Sequence, residues 1–376
     1  MKTSLLVVRA ELSRAQNRTN TNMKTIDQIE ISPSFASRRG VNTRTPDRKL
    51  DIAFWNYDRT RLLTDGTVKI EGVDARFHSA RIVPEIFKAM VKDRAYDVSE
   101  LGLTYFLRTF AGGDSPFLAI PVFLVRCFRH SAIYINKEKG IRRPEDLAGR
   151  RIGELAFYGH DAGVVPKGIL SDEFGVKPEQ CRWVVGRIDF PMAPFDFVPQ
   201  PHPPSVDVER ADAGADLGEM LERGEIDALI SADTPRCVLA GSPKVGRLFE
   251  DYEAVERDYF RRTGIFPIMH TVVVRKELAD EPDLLRVVYE AFGKAKDGMI
   301  EQYEKGLTFM MVANMVPWFA NLITRDRALM GRDWWPYGVK ANRTAVDAVL
   351  RYHHEQGLTQ RRFTCEDIFV RSLLDT

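Results

Sequence analysis

Two arginines and a carboxylate fall within NYDRTR (56–61), directly behind an apolar run, Leu50–Trp55, that reads as a strand. A guanidinium grips a carboxylate through two parallel hydrogen bonds, so Arg59 and Arg61 are candidates for holding a dicarboxylate. The plainer alternative is a pair of solvated surface arginines, and of two residues this close one can face away. Asp58 beside them could orient an arginine, act as a base or only cap a turn. Two histidines sit at matching places: His130 opens the apolar strand HSAIYI, and His270 opens HTVVV. Histidine gives and takes protons near neutral pH, which makes this pair the candidate acid and base. A lone histidine at a strand end is nonetheless more often structural. Two histidines are too few for a typical catalytic metal, which takes three protein ligands. His353 and His354 lie on a helix, and His353 shares its apolar face, so core packing is the better reading there. Trp334, Trp335, Tyr337 and Phe266 could wall an aromatic ring or be ordinary core.

These side chains need a frame, and the chain is long enough for two domains. An apolar fraction of 44% allows a sizeable core. With 54 basic and 53 acidic residues there is no general attraction to nucleic acid or anionic membranes, so neither is expected as a partner. Any anion must be held by locally placed Arg and His. The four cysteines, Cys127, Cys181, Cys237 and Cys365, form no CxxC pair, which argues against a zinc site or redox dithiol. No apolar run reaches the roughly 18 residues of a membrane span. Residues 1–48 are rich in Arg, Ser, Thr and Asn, and Ser4–Val8 is too short for a secretory core of about 7–15 residues. A disordered tail, a transit segment and a start assigned too early, with Met23 as the alternative, are the three readings.

Order is expected from Lys49. Leu50–Trp55, Arg76–Ala80, Tyr96–Leu103, Phe117–Leu124 and His130–Asn136 read as strands, with Asn56–Arg61 as a loop. Val83, Ile86, Phe87, Met90 and Val91 mark one helical face between them. Alternating strands and helices imply a mainly parallel sheet with crossover helices. A second set follows: a short helix within Gly140–Leu155, a helix near Val165–Phe174, strands at Arg182–Val185 and Ile226–Ala232, and a helix through Leu217–Leu221. Asp189–Asp207 holds six prolines and no helical period, so it reads as a long surface loop. Met269–Arg275 is an apolar strand returning to the first lobe, and helices dominate afterwards. Lobe one is therefore 49–139 with 266–376, and lobe two is 140–265. Two crossings, near 140 and 265, make a hinge and a cleft. Ligands of open α/β sheets bind beyond the carboxyl ends of the strands.

The segments NYDRTR (56–61), PFLAIPVF (116–123), FRHSAIYIN (128–136), GEIDALISA (224–232), ERDYFRRTGIFPIMHTVV (256–273), WPYGVKANR (335–343) and RYHHEQGL (351–358) carry a resemblance to the 4,5-dihydroxyphthalate decarboxylase family. The likeness runs in order from about Lys49 to Phe369, with RHSAIYIN and GIFPIMHTVV its most specific parts. It implies the α/β, two-lobed type II periplasmic-binding-protein-like fold with a central inter-lobe cleft, in keeping with the two crossings. It also implies a carboxy-lyase that converts 4,5-dihydroxyphthalate to protocatechuate and CO2. The chain departs from the family at GHDAGVVPKG (159–168), where relatives tend to carry a Thr-Ala-Gly-like turn followed by an arginine. Here His160, Asp161 and Lys167 occupy the helix start, a natural anion seat that an Asp weakens.

Under this reading Arg59 and Arg61 anchor the substrate, with Asp58, Arg129 and Ser131 beside them, and His130 and His270 are the acid/base pair. Decarboxylation needs a proton on the ring carbon that bears the carboxylate, and a para hydroxyl can push electrons toward it. No nucleotide loop, pyridoxal-type lysine motif or flavin fingerprint is evident, so no cofactor is expected; a divalent metal and a homo-oligomer stay open. The partner is a small aromatic carboxylate, and the location expected is cytoplasmic. The alternative is a non-catalytic solute-binding protein for a small aromatic or carboxylate ligand, though such proteins usually carry a secretion signal.

Overall fold

The computed structural model of the protein describes residues 48–190, 195–309 and 315–376. The expected N-terminal tail therefore lies outside the described residues, apart from Arg48. The first described element is β1 (Arg48–Ala53), whose Leu50, Ile52 and Ala53 are buried. It pairs in parallel with β2 (Val73–His78) and β3 (Val98–Gly102). Between these strands run α1 (Asp58–Thr64) and α2 (Val83–Asp93), the second laying Ile86, Phe87 and Met90 on the sheet. The short α3 (Leu103–Arg108) follows β3 directly. β4 (Phe117–Arg126) is apolar on both faces, as a strand covered on both sides must be. The returning β11 (Ile268–Arg275) lies antiparallel between β3 and β4, which gives the order β2-β1-β3-β11-β4.

The second sheet has the order β10-β5-β9-β6-β7-β8. It comprises β5 (Ile133–Asn136), β6 (Arg151–Leu155), β7 (Arg182–Gly186), β8 (Asp207–Arg210), β9 (Ala228–Ile230) and β10 (Val245–Arg247). Its helices are α4 (Asp161–Phe174), α5 (Leu217–Arg223), the single turn α6 (Arg236–Leu239) and α7 (Tyr252–Thr263). Because β5 pairs with β9 and β10, the first crossing falls at 127–132 rather than near 140. The expected strand His130–Asn136 thus belongs to lobe two, and its first three residues form a 3₁₀ turn.

After β11 come α8 (Pro282–Phe309), α9 (Phe319–Met330), α10 (Arg343–Glu355) and α11 (Cys365–Ile368). They do not all stay with lobe one. Ala348, Tyr352 and Leu358 pack into the lobe-two cluster around Ile133, Leu147 and Trp183, while Val346, Val349 and Leu350 pack into the main core. The approach is close because residue 168 of α4 is glycine: a Cβ there would lie 2.2 Å from the Tyr352 ring. Gln356 adds a bond to the Val164 carbonyl. The C-terminal part is thus shared between lobes.

The proline-rich stretch is also more than a surface loop. Its Phe195 and Phe197 are buried and stack on Tyr105 of α3 with ring centroids 6.0 and 5.5 Å away. Asp196 pairs with Lys92 of α2 at 2.9 Å, and Arg108 donates to the Pro199 carbonyl at 2.7 Å. Prolines remove helix-forming N–H groups but leave aromatic side chains free to pack, which is why periodicity gave no hint of burial. On another side, α9 reaches lobe two through the pair Arg257–Asp326 at 2.5 Å and through Arg325 with Glu253.

Candidate active site

With β11 antiparallel to its neighbours, its first residues lie at the same sheet edge as the carboxyl ends of β1, β3 and β4. His270 stands opposite Gly102 there. Glu100, two residues earlier in β3, is fully buried. A carboxylate in such a place must be satisfied by hydrogen bonds. Glu100 accepts from the Trp55 backbone N–H at 2.9 Å, the Tyr57 hydroxyl at 2.7 Å and His270 Nδ1 at 2.7 Å. Across the cleft, Asp161 begins α4 and its Oδ2 lies 3.0 Å from His270 Nε2. One imidazole therefore joins acids of both lobes, with the edge of Phe87 packed against it.

Burial alone would lower the pKa of His270, but hydrogen bonds to Asp161 and Glu100 outweigh it and push it up to about 9. With an acceptor at each nitrogen, the ring is an imidazolium at neutral pH. Burial would likewise raise the Asp161 carboxyl, but His160 and His270 hold it well below the usual carboxylate range. His160 Nδ1 lies 2.8 Å from Asp161 Oδ1. The Ala162 N–H is 2.7 Å from that same oxygen and 3.2 Å from His160 Nδ1. The carboxylate is the nearer and charged acceptor, so Ala162 bonds to it and His160 Nδ1 keeps its proton to donate to Asp161. The His160 ring sits among the edges of Tyr105, Phe157 and Phe195 at 5.6–5.9 Å.

The other expected site residues divide. NYDRTR is not a loop after residue 57: Asp58 starts α1. The Arg59 guanidinium lies over the rings of Tyr57 and Trp335, at 4.0 and 4.6 Å, and its Nε donates to the Leu124 carbonyl at 2.6 Å. Asp58 accepts from the Arg59 backbone and side chain and from the Tyr303 hydroxyl, which holds the arginine in place. Arg61 is exposed on the outer side of the helix, the solvated alternative. Arg129 is 8% exposed, with Nε on Met269 Sδ at 3.2 Å and no ion pair among the described residues. Ser131 turns away, its N–H bonded to Glu256 and its carbonyl to Arg247.

His130 is not part of the cluster. It is fully buried between Phe249 and Tyr259, neither ring nitrogen has a partner among the described residues, and burial pushes its pKa down to about 4. A histidine held neutral among aromatic rings is core, so the expected His130–His270 pair is corrected. Lys167 is no substrate ligand either: it is sealed against Glu154 at 2.6 Å. Trp335 and Phe266 do meet edge-on at 5.4 Å and form part of an aromatic wall beside Arg59. Glu100 and Tyr57 escaped notice, although an acid inside the apolar strand VSELG is itself a signal. A cavity of about 450 Å³ opens at the carboxyl edge of the lobe-two sheet, lined among others by Phe157, Phe195, Arg187 and Arg210.

No family model matches the chain. Among solved structures, a periplasmic sulfonate-binding protein of Methylobacillus flagellatus KT superposes with a TM-score of 0.52 at 13% identity, covering 85% of this chain and 91% of that one. That likeness establishes the type II periplasmic-binding-protein-like fold. A 4,5-dihydroxyphthalate decarboxylase of Pseudomonas putida is 37% identical over 212 residues, 56% of this chain and 81% of the relative. The enzyme of that name from Comamonas testosteroni is 35% identical over 329 residues, 87% of this chain and 98% of the relative. Likeness over that span places this chain in the 4,5-dihydroxyphthalate decarboxylase family of carboxy-lyases.

Proposed function

We propose that the protein removes CO2 from 4,5-dihydroxyphthalate and yields protocatechuate, without a cofactor and in the cytoplasm. The observation that carries this reading is 35% identity to a decarboxylase of that name along 98% of that enzyme's length. The site is consistent with it. A guanidinium buried without a carboxylate partner is costly, and an anionic substrate would relieve that cost. Arg129 is in this position, beside the residue preceding His270. Arg59, stacked on the tyrosine that bonds Glu100, is the second anchor. Together they hold the carboxylates while the ring lies along the aromatic wall. The hydroxyl para to the departing carboxylate supplies electrons as it ionises, so the ring carbon accepts a proton before the carbon–carbon bond breaks. His270, locked between two carboxylates, fixes the geometry of the cluster for this step.

Incubation of purified protein with a panel of hydroxylated phthalates tests the reading. CO2 and protocatechuate should appear together from the 4,5-dihydroxy compound. Tight binding without CO2 from any member would leave a solute-binding protein in its place.

A further inference from the structure

The cluster contains two histidines, and they are not equivalent. His270 uses both ring nitrogens on Glu100 and Asp161. His160 uses only Nδ1, on Asp161. Its Nε2 has no hydrogen-bond partner among the described residues, and it is not sealed as the ring nitrogens of His130 and His353 are. A carboxylate that accepts from Nδ1 fixes the tautomer and aims Nε2, the arrangement that lets an imidazole pass a proton to a substrate. The surroundings suit an arene: Phe157 and Phe195 both touch the His160 ring and both line the cavity of about 450 Å³, which Arg187, Arg210, Asp196 and Asp212 line as well.

We propose that His160, rather than His270, is the catalytic acid that protonates the ring carbon as CO2 leaves. This deepens the decarboxylase reading and rests on it. In the step, the hydroxyl para to the reacting carbon is ionised and its electron pair moves into the ring. That carbon takes the proton from His160 Nε2, forming a carbon–hydrogen bond and leaving His160 neutral. The bond to the carboxylate then breaks, its electron pair returns to the ring, CO2 departs and the phenolate is restored. Solvent returns one proton to His160, so the sum is one proton consumed and one CO2 released. His270 acts through Asp161, which it helps to hold in place.

The reverse of the protonation gives a direct test that does not need CO2 release. In heavy water the enzyme should exchange the hydrogen at C6 of protocatechuate, the position para to its 3-hydroxyl that the lost carboxylate occupied, for deuterium. His160→Gln keeps a polar side chain of similar size but carries no transferable proton. It should bind protocatechuate within about threefold of wild type and lose roughly 100-fold or more of both C6 exchange and decarboxylation. A variant that binds and exchanges at near the wild-type rate overturns the assignment. If His160→Gln does not bind protocatechuate, His160→Ala with added imidazole takes over: restored exchange supports the assignment, and none overturns it. A wild type that neither exchanges nor releases CO2 fails the decarboxylase reading itself, which is a different result from an active wild type with an equally active variant.

Discussion

At the scale of single residues, the site depends on charges that the fold buries in pairs and on one it leaves without a pair. Arg129→Ala should weaken binding of 4,5-dihydroxyphthalate by about 1.5–3 kcal/mol, the range for a hydrogen bond to a charged group, while Arg61→Ala should change little. Titration calorimetry measures both. His130 separates the corrected reading from the one its sequence position invites. His130→Phe should keep turnover within a few-fold, because the ring sits neutral and fully buried between Phe249 and Tyr259. A collapse of turnover with folding intact would return His130 to the mechanism. His270 makes a prediction about pH. Its pKa in the fold is about 9, above the ordinary 6.5. A group raised in the folded state stabilises fully below its unfolded value and loses that contribution as pH rises through the folded one. Thermal stability should therefore fall between pH 7 and 10 by a His270-dependent amount on the order of 3 kcal/mol, and His270→Asn should flatten that fall. His270 was legible in the sequence because it opens an apolar strand. Its partners were not, since Asp161 comes from the other lobe, 109 residues away. Nothing local distinguishes such an aspartate from a helix cap.

At the scale of elements, α4 carries both the site and the joint between lobes. Its Lys167 is sealed against Glu154, whose Oε1 also accepts the Gly159 N–H at 3.0 Å in the turn before His160. Removing one member of a buried ion pair leaves the other uncompensated. Lys167→Ala should cost about 3–5 kcal/mol, and Lys167→Met combined with Glu154→Gln should recover much of it. Chemical denaturation of the two variants checks this. The helix period at 83–91, the apolar helix face that holds His353 and the apolar strands were readable because packing imposes period on sequence. Two other stretches were not. NYDRTR begins with an asparagine and has an aspartate at its third position, both typical of turns, yet from Asp58 it is the first turn of α1. The stretch 189–207 has the prolines of a solvated loop, but Phe195 and Phe197 bury themselves on Tyr105.

At the scale of the whole molecule, the sequence implied two lobes and two crossings. It misplaced the first crossing by about one strand, because β5 has the same apolar character whichever sheet it joins. It also assigned α10 wholly to lobe one, when chain order says nothing about which cluster a late helix enters. The lobes meet through ion pairs, Asp161–His270, Asp196–Lys92 and Asp326–Arg257, and through Phe195 and Phe197 packed on Tyr105. Asp161→Asn should therefore enlarge the radius of gyration of the ligand-free protein at neutral pH, as read by small-angle scattering. An unchanged value would mean that the loop and α9 contacts alone keep the cleft shut. Decarboxylation in the cleft should depend on the His270 cluster. The most direct measurement is CO2 release from 4,5-dihydroxyphthalate beside calorimetric binding, for wild type and His270→Asn. Wild type should bind and release CO2 in step with protocatechuate, and the variant should bind with little loss yet turn over on the order of 10²-fold more slowly, the cost of a misplaced catalytic group. Tight binding by wild type with no CO2, or a variant as fast as wild type, would contradict it.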